Sequence, residues 1–205
     1  MSKALALLEF GSIAAGVSTV DRMLKRSPVA LLRCGTVHPG RFLALVGGTV
    51  AATEEAHAEG VALGVQQGVL VDEVCLADPH ASLHSALVGN RTQPVADTVG
   101  VIEVSTCPAL LRVVDAVLKA VPVSLVELRL ADDLGGRALA VIDGELADVN
   151  QAMTLAGSRT GSCGELLGAT VLPRLDPTLR LVLAEGTRFG TCRNWQPEDA
   201  ETGTR

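Results

Sequence analysis

The residues of this chain best placed to do chemistry lie at a short turn. His38-Pro39-Gly40 stands in the stretch GTVHPGRF, between two strand-like runs and directly before Arg41. Pro39 fixes its own φ and keeps His38 extended, while Gly40 supplies a backbone freedom that other residues lack. An imidazole on such a rigid tip can bind a metal, hydrogen-bond a polar ligand, or change charge near neutral pH. A solvated loop histidine without a ligand is the plain alternative.

Other groups give weaker indications of chemistry. The histidines stand at positions 38, 57, 80 and 84, and no nucleophile–base pair, phosphate loop or carboxylate dyad is recognisable. His80 and His84 are four residues apart, a spacing that can place both on one helix face. Cys107 precedes Pro108 at a predicted helix start, a position that favours thiol reactivity. Its counterpart in the repeat described below is Ile13, so we expect Cys107 to be buried. These observations predict that the chain is not an enzyme.

The composition disfavours several functional classes. Of the 205 residues, 48% are hydrophobic and 20% charged, which is ample for a folded core and argues against global disorder. The net charge is −6, the basic residues are scattered and aromatic residues make up only 2%, so we predict no nucleic-acid partner. No uncharged apolar stretch reaches 18 residues, which predicts no membrane span, and Glu9 interrupts the apolar run 4–8, which disfavours a secretory signal. Five cysteines without a C-x-x-C motif favour a reducing cytosol.

An internal repeat organises the chain. Residues 7–32 align with residues 101–126 at an offset of 94, and nine of the 26 positions are identical. Residues 40–48 then match residues 136–144 at an offset of 96. The second unit therefore carries a two-residue insertion in its version of the His-Pro-Gly turn. Two copies with so long a period indicate duplication of a whole domain and not a solenoid.

Each unit has the same predicted order of elements, β-α-β-β-α-β. In the first unit Ile13, Val17, Val20 and Leu24 follow helical spacing, and Pro28 ends that helix. This order predicts an α+β fold of two tandem ferredoxin-like domains, each an antiparallel four-stranded sheet with two helices on one face. The predicted elements are strands 4–8, 29–33, 42–46 and 70–76 with helices 13–24 and 50–62 in the first unit, and strands 99–104, 123–130, 137–142 and 165–172 with helices 107–120 and 146–158 in the second.

The predicted domain boundaries follow the repeat. We assign residues 1–88 to the first domain, 89–98 to a polar linker with one proline, and 99–187 to the second domain. Residues 188–205 form a polar C-terminal tail with no counterpart in the first unit, and it contains the only tryptophan, Trp195.

The repeated unit resembles the bacterial microcompartment shell domain (BMC domain). The resemblance lies in the L-[LI]-E strand, the helix carrying D-x-x-x-K, the glycine at the turn before the third strand, and the opening of the second helix. These motifs recur in order in both halves. The tandem, unpermuted arrangement is similar to trimeric shell proteins, most closely to the propanediol-utilisation type.

The resemblance implies a structural shell protein in which three chains form a flat pseudohexamer with a central pore for small molecules. Its implied partners are neighbouring hexameric and pentameric shell proteins, and its implied location is a microcompartment shell in the bacterial cytoplasm. Lys25, Lys119 and Arg174 match the tile-edge residues of the family. The residues implied to line the pore belong to the two turns: His38, Pro39, Gly40, Arg41, Asp132, Asp133, Leu134, Gly135 and Gly136.

The resemblance also raises the question of a metal centre. In the similar trimeric type a cysteine occupies the position of His38, and three copies hold an iron–sulfur cluster. Because such clusters are held almost always by thiolates, histidine at this position disfavours the cluster. Three copies of His38 around the threefold axis remain compatible with another metal, and Asp133 is a candidate partner for the imidazole. Two alternative functions therefore stay open: a redox or metal-bearing tile, and a ferredoxin-like small-molecule sensor or enzyme.

Overall fold

The computed structural model describes residues 3–131, 133–160 and 164–191. The first unit consists of β1 (Ala4–Phe10), α1 (Ile13–Arg26), β2 (Ala30–Val37), β3 (Arg41–Gly48), α2 (Val50–Gln66), β4 (Leu70–Leu76) and α3 (Ala81–Leu87). The second consists of β5 (Thr98–Val104), α4 (Cys107–Ala120), β6 (Ser124–Leu130), β7 (Ala138–Gly144), α5 (Leu146–Arg159), β8 (Leu166–Leu172) and α6 (Pro177–Glu185). A 3₁₀ turn follows at Phe189–Thr191.

The predicted α+β fold is confirmed. Within the described ranges the chain forms two four-stranded antiparallel sheets, with strand orders β2-β3-β1-β4 and β6-β7-β5-β8. The duplication extends to details of the backbone, because the register shift between Leu31 and Arg33 in β2 recurs between Leu125 and Glu127 in β6. The assigned domain boundaries remain predictions.

Local signals set the helix starts. Ser12 caps α1 by accepting a hydrogen bond from the backbone N–H of Ala15, and Thr49 caps α2 in the same way. α4 begins without a side-chain cap of its own and carries a proline in its first turn. Two short helices, α3 and α6, follow the last strand of each unit and were not predicted from the sequence.

The small side chains allow the helices to pack closely on the sheets. A Cβ atom at Gly60 of α2 would lie 2.7 Å from both Leu8 and Met23, so a larger residue there would require these two side chains to shift. The core on this side of the first sheet is built from buried residues such as Leu8, Phe10 and Met23. In the described part of the chain no helix is both long and apolar enough to cross a bilayer.

Helix α4 joins the two units. It packs against β7 and β6 of its own sheet and also against β4 and β1 of the first unit. Leu110, Leu111, Val113 and Val114 are at most 1% exposed, so the helix is buried on nearly every side. The largest hydrophobic cluster accordingly contains residues of both units. The first sheet therefore has helices on both faces, one of them supplied by the second unit.

Candidate functional site

The first predicted pore turn is a tight exposed hairpin. His38, Pro39 and Gly40 connect β2 to β3 beyond the Val37–Arg41 pair, and all three are exposed. Gly40 has a φ of +78°, a conformation that glycine adopts at little cost. The imidazole of His38 is thus held at the tip of the hairpin.

The second turn is longer and closes on itself. The N–H of Ala131 donates to the carbonyl of Arg137, and the N–H of Leu134 donates to the carbonyl of Ala131, each at 3.1 Å. Asp133 is exposed and has a φ of +61°. Its carboxylate lies 4.0 Å from Arg188. Asp132, also predicted to line the pore, lies outside the described residues.

The two turns lie side by side in one chain. Gly136 is buried with a φ of +86°, and a Cβ atom there would lie 3.1 Å from Cδ of Pro39 and 3.3 Å from Nη1 of Arg41. Gly136 therefore serves both the turn conformation and this close approach. Leu134 is half-buried and Gly135 exposed beside it. The contact brings both predicted pore segments to one place on the molecule, although their sequence positions are about a hundred residues apart.

The arginines that follow the turns are paired with glutamates of the central strands. Arg41 forms an ion pair with Glu9, and Arg137 donates to Glu103 at 2.8 Å. Glu9 is fully buried, and burial raises its pKa even though the hydrogen bonds from Arg41 and from the Cys107 N–H act in the opposite direction. Glu9 and Glu103 were identical in the repeat, so sequence reasoning could have flagged these carboxylates.

Polar groups also secure the contact between the units. Oε2 of Glu9 accepts a hydrogen bond from the N–H of Cys107 at 2.9 Å, so a carboxylate of the first unit caps the start of α4. The buried Asp72 accepts from Oγ1 of Thr106 at 2.5 Å and from Arg112 at 3.3 Å. Cys107 itself is buried, as expected.

The predicted tile-edge residues are all on the surface. Lys25 is 71% exposed and lies 2.6 Å from Asp21, and Lys119 is 43% exposed and lies 2.7 Å from Asp115. Asp115 also accepts the backbone N–H of His80 at 2.8 Å, which places Lys119 near the junction of the units. Arg174 is exposed between β8 and α6.

The remaining histidines lie away from the two turns in sequence and contact other groups. His80 precedes α3 as its N-cap, and its Nδ1 accepts a hydrogen bond from the N–H of Ser82. It therefore lies just before the helix that carries His84. Nε2 of His57 lies 2.5 Å from Oε2 of Glu73. Among the described residues of a single chain, no group of three or more His, Cys, Asp or Glu side chains is arranged to hold a metal ion.

Equivalent apolar residues of the two units differ sharply in exposure. On α1, Val17 is 53% exposed, whereas its counterpart Leu111 on α4 is 1% exposed. On β2, Leu32 is 45% exposed, whereas its counterpart Val126 on β6 is 1% exposed. Three further pairs follow the same pattern: Ile13 40% and Cys107 0%, Leu24 37% and Leu118 8%, Leu31 39% and Leu125 7%. On the last helices the difference is reversed, because Leu179 of α6 is 41% exposed whereas its first-unit counterpart Leu83 of α3 is fully buried.

These differences define two open surfaces. The first-unit surface consists of Ile13, Val17, Leu24, Leu31 and Leu32, and the second-unit surface includes Leu167 of β8 and Leu179 of α6. Within the chain, the second unit's α4 and β6 cover the first unit's β4 and α3. The open surfaces lie on α1 and β2 of the first unit and on β8 and α6 of the second, which are the repeat counterparts of these four elements.

Comparison with known proteins agrees with this geometry. The model of the BMC domain family matches residues 4–79 and again residues 98–175. The chain belongs to the BMC domain family. It is 36% identical over 186 residues to the bacterial microcompartment shell protein PduT of Citrobacter freundii. This alignment covers 91% of this chain and all of the relative. The predicted family is confirmed, and the chain is a microcompartment shell protein with two BMC domains.

Further similarities are consistent with this assignment. The carboxysome assembly protein CcmO of Synechocystis is 29% identical over 90% of this chain, which spans 65% of that relative. A crystal structure of a microcompartment protein from Desulfitobacterium hafniense superposes with a TM-score of 0.74 at 26% identity, covering 87% of this chain and 98% of that one. The fused permuted shell protein MSM0275 has a TM-score of 0.52 at 18% identity, a likeness of fold alone.

Proposed function

We propose that this shell protein is a homotrimeric, pseudohexagonal tile with a central pore. The observation that carries the proposal is the exposure difference between equivalent residues of the two units. Each chain contains one contact between its two units. It also exposes the first-unit surface and the second-unit surface, which are equivalent to the two sides of that contact. A second copy can cover the first-unit surface with its second-unit surface, in the way that the second unit already covers the first within one chain.

Such a contact is heterologous, because different surfaces meet. Heterologous contacts give rings when the rotation closes and filaments when it does not. The six-domain ring implied by the family resemblance corresponds to three chains. Covering these apolar side chains favours association, because it removes apolar surface from water.

In this trimer the paired turns surround the central opening. Their proximity within one chain supports the proposal, since six turns on one side of the molecule can meet at a common axis. Small metabolites would pass between the turns, His38 from one unit and the segment Asp132–Gly136 from the other. The tile acts as a structural component and not as a catalyst, and it lies in the shell of a cytoplasmic microcompartment beside hexameric and pentameric shell proteins.

The turn itself does not fit an iron–sulfur cluster. The stretch 35–42 contains no cysteine, and these clusters require thiolate ligands almost throughout. Three His38 imidazoles with water match a zinc or copper arrangement. We retain this as a second proposal, tested by elemental analysis of purified wild type and of H38A. Equal metal content in the two proteins would end it.

Solution mass and crosslinking test the proposed tile. Sedimentation equilibrium should give three times the chain mass of 21.2 kDa. In a Cys34→Ser background, His38→Cys treated with a short bismaleimide should give covalent dimers, because the three turns converge and each linker joins two of the three thiols. Ser158→Cys, at the exposed end of α5, is the matched control and should give none. A monomer, or equal crosslinking at both positions, would overturn the proposal.

A further inference from the structure

A polar cavity lies where the two units of the chain meet. Its volume is about 330 Å³, within the range of pockets that hold small metabolites. The end of α3, the start of the linker, β6 and the end of α6 form its walls, and β2 contributes one side chain from the first sheet. We call it the arginine pocket, because four arginines line it: Arg33, Arg91, Arg129 and Arg188.

Positive charge exceeds negative charge in this pocket. The acidic residues among its described lining are Glu127 and Glu185, against the four arginines. Counting Asp133 as well, whose carboxylate lies 4.0 Å from Arg188, still leaves an excess of positive charge. The whole chain has a net charge of −6, so the pocket has the opposite sign from its surroundings. A cleft lined by an excess of one charge attracts small ions of the other.

The buried acid of the pocket already has its partners within the protein. Glu127 is 2% exposed, forms an ion pair with Arg91 and accepts a hydrogen bond from the hydroxyl of Thr187 at 3.0 Å. Arg91 also donates to the carbonyl of Leu183 at 2.7 Å. This pair is therefore part of the folded structure, and the charge available to a ligand comes from the other three arginines.

Arginine side chains suit the recognition of an anion. The planar guanidinium presents five N–H donors in a fork that matches the oxygens of a carboxylate or a phosphate. A guanidinium that contacts one protein group therefore keeps further donors for a bound anion. Arg33 and Arg188 are both exposed, so an anion can reach them from solvent.

The set of arginines is specific to the junction within the chain. The repeat counterparts of Arg91, Arg129 and Arg188 are Thr187, Gly35 and Thr92. A junction between two copies that follows the pattern of the junction within one chain would therefore lack these three guanidinium groups. We expect one such pocket in each chain.

We propose that the arginine pocket binds a small dianion, which carries either one phosphate group or two carboxylates. Two negative charges balance the excess positive charge of the lining residues. The pocket is complete within one chain, so the inference does not depend on the proposed trimer. Leu130 lines the pocket directly before the second turn, and Arg188 lies beside Asp133 of that turn. In the proposed tile the bound dianion would therefore lie next to the pore.

Isothermal titration calorimetry on the full chain tests the pocket. Inorganic phosphate and succinate are the separate probes, at mildly alkaline pH and an ionic strength of about 0.15 M, which screens weak surface binding. At least one of them should bind with one site per chain and raise the Tm, as a ligand of the folded state does. Acetate, a monoanion, should bind more weakly. Binding of neither dianion, or acetate binding as tight as theirs, would overturn the inference.

Substitution of the exposed arginines locates the bound dianion. Arg33→Gln and Arg188→Gln each remove a pocket charge without disturbing the buried pair of Glu127, and circular dichroism checks their folding. Each should weaken binding roughly tenfold or more, because a hydrogen bond to a charged group is lost. Arg26→Gln is the matched control, since Arg26 on α1 is exposed and pairs with Glu55 outside the pocket. Wild-type affinity in both pocket variants would contradict the assignment.

Sedimentation of the same samples separates this inference from the proposed function. A monomer that binds one dianion would overturn the trimer alone, whereas a trimer that binds none would overturn the pocket alone. One dianion for every three chains would place the anion on the threefold axis near His38 and would also refute the pocket.

Discussion

At the scale of single residues, buried carboxylates hold the two units together. Glu9 and Asp72 both belong to the first sheet, and both accept hydrogen bonds from the start of α4 or from its Arg112. On the open surfaces, Glu103 and Gly168 stand at the repeat positions of Glu9 and Asp72. Ser12 and Ser18 stand at those of Thr106 and Arg112. The contact within the chain is therefore more polar than the one proposed between copies.

The first prediction concerns Arg112, which donates to Asp72 and to the carbonyl of Glu73. Arg112→Ala leaves a fully buried carboxylate with less pairing, and removal of one partner of a buried pair destabilises strongly. The Arg112 side chain is 31% exposed, so water replaces part of the loss and we expect a decrease of roughly 2–3 kcal/mol in the free energy of unfolding.

Equilibrium unfolding in urea at fixed protein concentration measures this change. The double variant Asp72→Gly with Arg112→Ser reproduces the pair present at the open surfaces and should recover part of the stability. A single variant as stable as wild type would show that the pair contributes nothing.

The second prediction concerns the pH dependence of stability through Glu9. Its pKa is raised above the ordinary value of 4.5, so the folded chain binds this proton more tightly than the unfolded chain does. The contribution of Glu9 to stability is therefore fully present below pH 4.5 and is lost as the pH rises through the raised pKa. Because Glu9→Gln is neutral at every pH, the Tm of wild type minus that of the variant should fall as the pH rises.

Differential scanning calorimetry between pH 4.5 and 8 follows this difference. Glu55→Gln serves as control, since its side chain is 47% exposed and pairs with Arg26 at the surface. A difference for Glu9→Gln that grows with pH would contradict the assignment.

At the scale of elements, α1 and α4 are near copies in different surroundings. Both carry apolar residues at the same helical positions, but α4 is covered by two units and α1 by its own unit alone. The same substitution should therefore act on folding in one helix and on association in the other.

The third prediction compares Val17→Glu with Leu111→Glu. A charge at Leu111 is buried without a partner, which costs several kcal/mol and should prevent stable folding. A charge at Val17 lies on the open surface of α1, so the chain should fold normally but sediment as a monomer. Circular dichroism and sedimentation velocity separate the two outcomes, and a trimeric Val17→Glu protein would place the copy-to-copy contact elsewhere.

At the scale of the whole molecule, the proposed function assigns one face of contact to the trimer and the outer edge to the shell. The fourth prediction is that Lys25→Ala keeps the trimer mass but loses extended sheets in electron micrographs. The pair with Asp21 is largely solvated and stabilises the chain by at most about 1 kcal/mol, so folding should not change. Lys3→Ala is the control at an exposed lysine away from the predicted edge. Normal sheets in Lys25→Ala would remove this lysine from the edge.

Much of the fold was predictable because the signals are local. Strands such as Leu70–Leu76 and helices such as Cys107–Ala120 were predicted at their observed bounds, since apolar periodicity and breakers act within a few residues. The short helices α3 and α6 were missed, because segments of seven and nine residues are too short to display a helical period. The predicted turns were found, and Gly136 shows why they need glycine.

The sequence by itself determined the duplication, the order of elements and the rigid turn at His38, because each depends on residue types and their spacing. Only the tertiary structure decided that Glu9 caps a helix 98 positions away, that the two turns touch, and that α1 stays open where α4 is buried. The physical reason is that near-identical patterns encode near-identical elements, whereas burial depends on which surface each element meets. Which surface each element meets is determined only by the packing of the whole chain.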